Sequence, residues 1–154
     1  KEMHDAVMSR VDDAHIFIGV AAVSDYSVET VSLQKIKKTA QAELLLPLTI
    51  TPDIIKAVAE RAKKTGVMVI GFAAETQDIE KYALKKCREK GVDLVIANDV
   101  SRGQCFDQRA QAVSIYDTEG LVQAFPLTEK SKLSMSLMTL IVEYYNNTAL
   151  TAMG

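Results

Sequence analysis

The chain has 154 residues, which is enough for one domain and too few for two domains of ordinary size. Hydrophobic residues make up 48% and charged residues 25%, a balance that is typical of a folded globular protein and excludes wholesale disorder. The net charge of −2 offers no basic surplus for a nucleic acid or an anionic membrane, and no apolar run approaches the roughly 20 residues of a membrane span. With only two cysteines, Cys87 and Cys105, a disulfide scaffold is excluded, and we expect a cytoplasmic protein.

Helical and strand patterns alternate along the chain, as in an α/β domain with a largely parallel sheet. A helical apolar stripe runs from Met3 to Val11. The continuous apolar run His15–Val23 predicts a strand buried on both faces. We expect a loop over Ser24–Ser32 and a further strand over Glu43–Ile50.

A helix is predicted to start at Thr51–Asp53, directly after the predicted strand over Glu43–Ile50. Thr51 is suited to the N-cap, Pro52 to the first helical position and Asp53 to the first turn. Apolar residues then recur at helical spacing until Gly66, which occupies the position that commonly closes a helix in a left-handed conformation.

The second half of the chain continues the alternation. The predicted elements are a strand over Val67–Phe72, a helix over Asp78–Lys90 capped by Thr76 and closed by Gly91, a strand over Val92–Ala97, a polar loop over Asn98–Gln108, a hairpin from Ala112–Tyr116 and Leu121–Phe125, a helix over Thr128–Asn147 and a fraying tail over Thr148–Gly154.

The usual phosphate-binding signatures are missing. None of the seven glycines is arranged as GxGxxG or GxxxxGK[ST], so neither a dinucleotide oxidoreductase nor a P-loop nucleoside triphosphatase is indicated. The chain also opens on what corresponds to a later helix of a doubly wound domain. We therefore expect a domain whose N-terminal strand and glycine-rich turn are not included.

Acidic residues follow three of the predicted strands. They are Asp25, Glu75 and Asp99, each preceded by small residues that allow a ligand to approach the backbone. Ligands of open α/β sheets bind beyond the carboxyl ends of the strands, which favours a nucleotide or metal cleft here. Loop starts and helix caps explain the same acids about equally well.

A basic cluster, Gln34–Lys38, lies in the middle of this acidic protein. Most such runs are solvated surfaces. This one follows directly on the Asp25 loop, from which it could fold over the strand ends, and a flexible lysine suits phosphate charge that moves during a reaction.

Lys86 and Lys90 are four residues apart and therefore share one face of a helix. Their mutual repulsion costs about 0.2–0.5 kcal/mol, which an anionic ligand would recover. Cations near a helix C-terminus also complement the helix dipole, and from spacing alone this second explanation is favoured.

Five segments together resemble a known family, the bacterial phosphopantothenate–cysteine ligase, which is commonly the C-terminal half of a bifunctional coenzyme A biosynthesis flavoprotein. The resemblance covers nearly the whole chain, from Met3 to about Tyr145. The segments, in order, are AAVSDY (Ala21–Tyr26), QKIKK (Gln34–Lys38), TPDII (Thr51–Ile55), GFAAET (Gly71–Thr76) and ANDVS (Ala97–Ser101).

The resemblance implies a Rossmann-like, doubly wound, mainly parallel sheet with a C-terminal β-hairpin and helix, in a dimeric enzyme that uses CTP and Mg²⁺. The substrates it implies are 4′-phosphopantothenate and L-cysteine, and FMN would belong only to a fused decarboxylase. Lys35 matches the essential lysine of a flexible flap. The other residues that match nucleotide-binding positions are Gly19, Val20, Ala21, Asp25, Pro52, Asp53, Ile54, Ile55, Phe72, Lys86 and Lys90. The residues that would hold the Mg²⁺ are left unassigned.

This chain departs from the family pattern at three places. The family often has Asn where Thr51 stands, and it has a longer, glycine-rich acidic stretch where Ser101–Ala110 lies. The family's opening glycine-rich segment, which carries an asparagine needed to turn over the acyl intermediate, has no counterpart here. The alternative hypothesis is therefore a non-catalytic nucleotide-binding or dimerisation module. A receiver-like signalling domain is disfavoured because the first strand lacks an adjacent pair of acids.

Overall fold

The computed structural model describes residues 1–37, 44–100 and 109–152. A five-stranded sheet with the order β1-β4-β5-β6-β7 forms the centre, and a separate two-stranded sheet pairs β2 with β3. The strands are β1 Ile16–Gly19, β2 Tyr26–Val28, β3 Leu48–Ile50, β4 Met68–Glu75, β5 Leu94–Asp99, β6 Ala110–Tyr116 and β7 Leu121–Glu129. The helices are α1 Glu2–Met8, α2 Ile54–Thr65, α3 Ile79–Lys90 and α4 Lys130–Ala152, with a 3-10 turn at Val11–Asp13.

The central sheet is mixed. β1, β4 and β5 run parallel, whereas β6 and β7 are antiparallel to their neighbours. The prediction of an α/β, Rossmann-like sheet with a C-terminal hairpin and helix is confirmed, although the sheet is less parallel than expected because the hairpin supplies two of its five strands.

Helices cover both faces of this sheet. On one face α2 and α3 bury Val58 and Cys87 against alternate residues of β4 and β5, such as Val69 and Val95. On the other face α4 packs Leu133, Leu137 and Ile141 against the intervening residues, which include Ile70, Leu94 and Ile96. Successive side chains of each strand therefore point to opposite faces of the sheet and form two apolar layers, as a doubly wound domain requires.

The helix ends follow the glycine signals. Gly66 closes α2 with a φ of 74° and Gly91 closes α3 with a φ of 70°, both in the left-handed region where a Cβ is unfavourable. Both predicted C-termini are confirmed. Thr76 is not the cap of α3, because Asp78 occupies that position and makes no side-chain cap hydrogen bond.

The predicted first strand was too long and one strand was missed. β1 ends at Gly19, and the following Val20 is 63% exposed, so the apolar run continues outside the sheet. Within the predicted loop 24–32, Tyr26–Val28 forms β2. The predicted strand over Glu43–Ile50 is described from residue 44 onward, and within 44–50 the strand is Leu48–Ile50, which pairs with β2 rather than with the central sheet.

The other boundaries shift by a few residues. β4 extends beyond Phe72 to Glu75, and β5 begins at Leu94 and includes Asn98 and Asp99, which were predicted to be loop. The hairpin prediction is confirmed, with longer strands. The last helix begins at Lys130 and continues to Ala152, so most of the predicted tail is helical.

Candidate functional site

The N-terminus of α2 is capped by Asp53. Its Oδ1 accepts a hydrogen bond from the Lys56 N–H at 3.1 Å, which satisfies one of the free donors of the first turn. The prediction that Thr51 caps this helix was therefore wrong. Thr51 instead fixes the preceding loop, since its hydroxyl donates to the Ser24 carbonyl and its N–H donates to the Asp25 carbonyl at 2.9 Å.

Two glycines let α2 start close to the sheet. Gly19 and Gly71 are register partners on β1 and β4. The Cδ1 atom of Ile55 lies 2.8 Å from where a Cβ on Gly71 would stand and 3.1 Å from the same position on Gly19. The second residue of α2 is therefore seated in a slot that side chains on the strands would fill.

The two lysines of α3 reach this region by different contacts. Lys86 Nζ donates to the Phe72 carbonyl at 2.9 Å, one residue beyond Gly71 on β4. Lys90 Nζ forms an ion pair with Asp53 Oδ2. The carboxylate of Asp53 thus links the N-terminus of α2 to the last turn of α3.

The charge state of Asp53 follows from these contacts. Desolvation acts to raise the pKa of Asp53, but the hydrogen bonds from Lys90 and from the Lys56 N–H, with the nearby ammonium charge, outweigh it and lower the pKa below its usual value. The carboxylate is therefore ionised throughout the neutral range, and so it is a full counterion for Lys90.

Several predicted residues are brought together and others are not. The cluster at the N-terminus of α2 unites seven of them, Gly19, Asp53, Ile54, Ile55, Phe72, Lys86 and Lys90, of which Ile54 is part of the buried core. Pro52 precedes the cap. Val20, Ala21 and the side chain of Asp25 are exposed beyond β1.

Lys35 stands apart from the cluster. It is exposed, and no hydrogen bond or ion pair links its side chain to any other described residue. Lys38 of the same basic segment lies outside the described residues, as do Cys105 and Ser101.

The strand-end acids form no metal site within the described ranges. Glu75 and Asp99 are register partners at the ends of β4 and β5, and the Val100 N–H donates to the Glu75 carbonyl at 2.9 Å. Asp25 belongs to the loop before β2. Among the residues that the structure describes, no three His, Cys, Asp or Glu side chains are grouped as metal ligands.

Sequence reasoning did not find the role of Gly71. The signal was present, because a glycine follows three apolar residues in both IFIG (Ile16–Gly19) and MVIG (Met68–Gly71). Equal spacing in two neighbouring parallel strands predicts that the glycines align, and aligned glycines indicate a close approach by another element.

The fold and this cluster define a Rossmann-like α/β domain with polar groups gathered where parallel strands meet a helix N-terminus, the usual position of a ligand cleft. Comparison with known proteins gives the family. Residues 1–145 match the DNA/pantothenate metabolism flavoprotein C-terminal domain, and the chain belongs to this family.

Curated relatives share its sequence over most of the chain. It is 41% identical over 140 residues to the coenzyme A biosynthesis bifunctional protein CoaBC of Vibrio vulnificus (strain CMCP6), covering 90% of this chain and 34% of that protein. For the protein of the same name from Escherichia coli (strain K12), identity is 40% over 148 residues, covering 94% and 36%. The chain thus spans about a third of the length of these relatives.

Solved structures share its fold. The C-terminal domain of a coenzyme A biosynthesis bifunctional protein CoaBC superposes with a TM-score of 0.73 and 29% identity, covering 95% of this chain and 62% of that one. A Cab2 mutant, H337A, in complex with phosphopantothenate-cysteine has a TM-score of 0.73 at 17% identity, covering 97% and 51%, which shows the shared fold alone.

Proposed function

We propose that this chain is the nucleotide-binding part of a CTP-dependent phosphopantothenate–cysteine ligase of coenzyme A biosynthesis. Membership of the family and the length shared with bifunctional relatives support the pathway. The observation that carries the proposal is the convergence of Lys86, Lys90 and the α2 N-terminus beside Gly19 and Gly71. Cations and backbone donors at one point suit a triphosphate.

The reaction proceeds in two steps. A carboxylate oxygen of 4′-phosphopantothenate attacks the α-phosphorus of CTP, the bond from that phosphorus to the bridging oxygen breaks, and pyrophosphate leaves with the electron pair. The amine of L-cysteine then attacks the acyl carbon, loses a proton and displaces CMP to give 4′-phosphopantothenoylcysteine. Neither step needs a covalent nucleophile from the protein, so charge neutralisation and positioning are the contributions to expect from it.

The residues would act as follows. Gly19, Val20 and Ala21, with Asp25 and Phe72, would surround the cytidine. The start of α2, Pro52 to Ile55, would lie beside the triphosphate, and Lys86 and Lys90 would face the β- and γ-phosphates. Lys35, on an exposed segment after the Asp25 loop, would close over the α-phosphate and stabilise charge as pyrophosphate leaves. Mg²⁺ would enter with the phosphates of CTP and reduce their charge. No protein ligand is assigned to it, since the described residues offer no cluster for one.

We also propose a homodimer. The two-stranded sheet exposes apolar side chains on both strands, and Ile50 is 75% exposed. Exposed apolar residues in such number are typical of an interface. They include Tyr26, Val28, Leu48 and Ile50, with Leu44, Leu45 and Leu46 leading into β3. Ile50→Lys is expected to shift sedimentation toward the monomer, whereas an unchanged dimer would place the interface elsewhere.

We further propose that the active protein is longer than this chain. β1 pairs with β4 on one edge and with no described strand on the other, although its four residues are apolar and half-buried. A preceding strand and glycine-rich turn would complete the sheet there. An FMN-dependent decarboxylase is proposed as a fused domain, since the relatives are bifunctional and about three times as long. No helix in the described ranges is long and apolar enough to cross a membrane. A cytoplasmic location is proposed because the relatives are named as proteins of coenzyme A biosynthesis.

Lys35→Ala in the full-length protein tests the function. We expect pyrophosphate release with CTP, Mg²⁺, 4′-phosphopantothenate and cysteine to fall to background, with the fold intact because the Lys35 side chain is exposed. Lys64→Ala, in the last turn of α2, is the matched control and should keep wild-type turnover. Near-normal turnover in Lys35→Ala would refute the catalytic assignment. CTP binding without turnover in the wild-type protein would favour the non-catalytic module instead.

A further inference from the structure

The two oxygens of Asp53 serve two different partners. Oδ1 accepts the Lys56 N–H at 3.1 Å and caps α2, while Oδ2 is paired with the ammonium of Lys90. Both side chains of the pair are about one-third exposed, Lys90 34% and Asp53 36%. The ion pair is therefore open to solvent and to an incoming ligand. Because it uses Oδ2 and the helix cap uses Oδ1, the ion pair can be removed while the cap is kept.

Lys86 and Lys90 differ in what holds them. Lys86 donates to a backbone carbonyl, that of Phe72, which is neutral, and no carboxylate of the described ranges pairs with its ammonium. Lys90 is matched by a full negative charge. An anionic ligand can bind the Lys86 ammonium while the Phe72 carbonyl keeps its hydrogen bond. To bind the Lys90 ammonium, the ligand must replace the Asp53 carboxylate.

We propose that Asp53 is an internal competitor of the nucleotide phosphates, whose carboxylate occupies Lys90 until the triphosphate of the substrate displaces it. This inference rests on the proposed function, because the displacing ligand is the nucleotide. The exchange lowers the affinity of the site for polyphosphates and leaves contacts with the nucleoside unchanged. After the first step, Asp53 recaptures Lys90 and favours release of pyrophosphate.

Asp53→Asn separates the two roles of this side chain. Asn caps a helix as well as Asp does, so its amide oxygen can still accept the Lys56 N–H, while the negative charge facing Lys90 is gone. By calorimetric titration of the full-length protein, we expect the variant to bind CTP about two- to fivefold more tightly, the range that a partly exposed ion pair permits. The affinity for CMP, which lacks the β- and γ-phosphates, is expected to stay the same.

Lys90→Gln provides the background that isolates the mechanism. If Asp53 acts by occupying Lys90, Asp53→Asn gains nothing when Lys90 is already replaced. A gain of the same size in the Lys90→Gln background would mean simple repulsion between Asp53 and the phosphates and would overturn the proposal. Weaker CTP binding by Asp53→Asn alone would also overturn it, since Asp53 would then help to hold Lys90 in place for the substrate.

The same titrations distinguish this inference from the proposed function. A wild-type protein that binds CTP more tightly than CMP supports the site, and the Asp53 variants then decide on the competition alone. A wild-type protein that binds neither nucleotide overturns the proposed function and this inference with it.

Discussion

The Cδ1 atom of Ile55 lies 2.8 Å from the position that a Cβ on Gly71 would occupy, so the start of α2 is fitted against the bare backbone of β4. The distance is shorter than any normal carbon contact, and a methyl group on Gly71 must displace the Ile55 side chain. The Cδ1 atom is the end of a flexible side chain, so it can shift while the backbone at the start of α2 stays in place.

Gly71→Ala is therefore expected to destabilise the domain by about 1 kcal/mol. Overpacking costs roughly 1–3 kcal/mol, and replacing a strand glycine returns roughly 0.5–1 kcal/mol. Ile55→Val removes the Cδ1 atom, so in that background Gly71→Ala should become neutral or stabilising. Urea unfolding of the four proteins measures the effect. The same cost in both backgrounds would show that Ile55 is not the atom in conflict.

Much of the fold could be predicted because its signals are local. The closing glycines of α2 and α3, Gly66 and Gly91, and the apolar runs of β4 and β5 are visible within windows of a dozen residues. β2 was missed because Tyr26–Val28 is surrounded by polar residues and is a strand only through its partner, Leu48–Ile50, some twenty residues later. Its pairing is a tertiary property that no local pattern carries.

In the candidate site, too, local features could be predicted and tertiary contacts could not. The sequence predicts that Lys86 and Lys90 share a helix face, but their partners could not be predicted, since Asp53 is 37 residues from Lys90. In Thr51–Asp53 both ends of the triplet are good capping residues. The choice of Asp53 depends on the loop contact that engages the Thr51 hydroxyl with Ser24.

Lys86→Ala and Lys90→Ala should each weaken CTP binding about tenfold or more and CMP binding much less. Charge-assisted contacts contribute roughly 1.5–3 kcal/mol, and only CTP carries the phosphates that both lysines are proposed to face. Lys85→Ala is the control, since Lys85 pairs with Glu89 at 3.8 Å along the helix. Equal losses for CTP and CMP would show that the lysines do not reach the triphosphate.

Lys86→Ala should also reduce stability, which helix propensity alone does not predict. Its ammonium holds the Phe72 carbonyl at 2.9 Å, and a hydrogen bond of this kind contributes about 0.5–1.5 kcal/mol. Chemical unfolding of Lys86→Ala and Lys85→Ala side by side measures the difference. A Lys86→Ala protein as stable as its control would contradict this structural role.

Alkaline pH should destabilise the domain through Cys87. Burial, with the negative charge of Asp117, raises the pKa of this thiol to about 11, and its Sγ donates to the Tyr116 carbonyl at 3.6 Å. An acid whose pKa is raised on folding contributes stability below its unfolded value, near 9, and loses it as pH rises to 11. The loss is on the order of 2 kcal/mol.

Urea unfolding between pH 7 and 11 in a Cys105→Ala background tests this, with Cys87→Ala as the comparison. The curve of the protein that keeps Cys87 should fall more steeply above pH 9 than that of the protein that also carries Cys87→Ala. Tyr144 adds a further loss in both proteins above about pH 10, because burial and Asp117 raise its pKa to about 12. Parallel curves for the two proteins would contradict the role of Cys87.

The 154-residue chain by itself should not make phosphopantothenoylcysteine, even if it folds and dimerises. The cluster around Asp53 and Lys86 is proposed to hold the nucleotide. Among the described strands none pairs with the second edge of β1, so we expect the second substrate to lack the backbone donors that a further strand would supply there. Weak CTP binding is expected to survive, because every residue assigned to it is present.

Ligation should return when the proposed N-terminal strand and glycine-rich turn are supplied, fused or as a separate polypeptide that pairs with Ile16–Gly19. Pyrophosphate release with all four reactants measures the recovery. Ile18→Pro removes a backbone donor from β1 and should block rescue by a separate segment more than it reduces CTP binding. Robust ligation by the 154 residues alone would mean that the site is complete without a further strand.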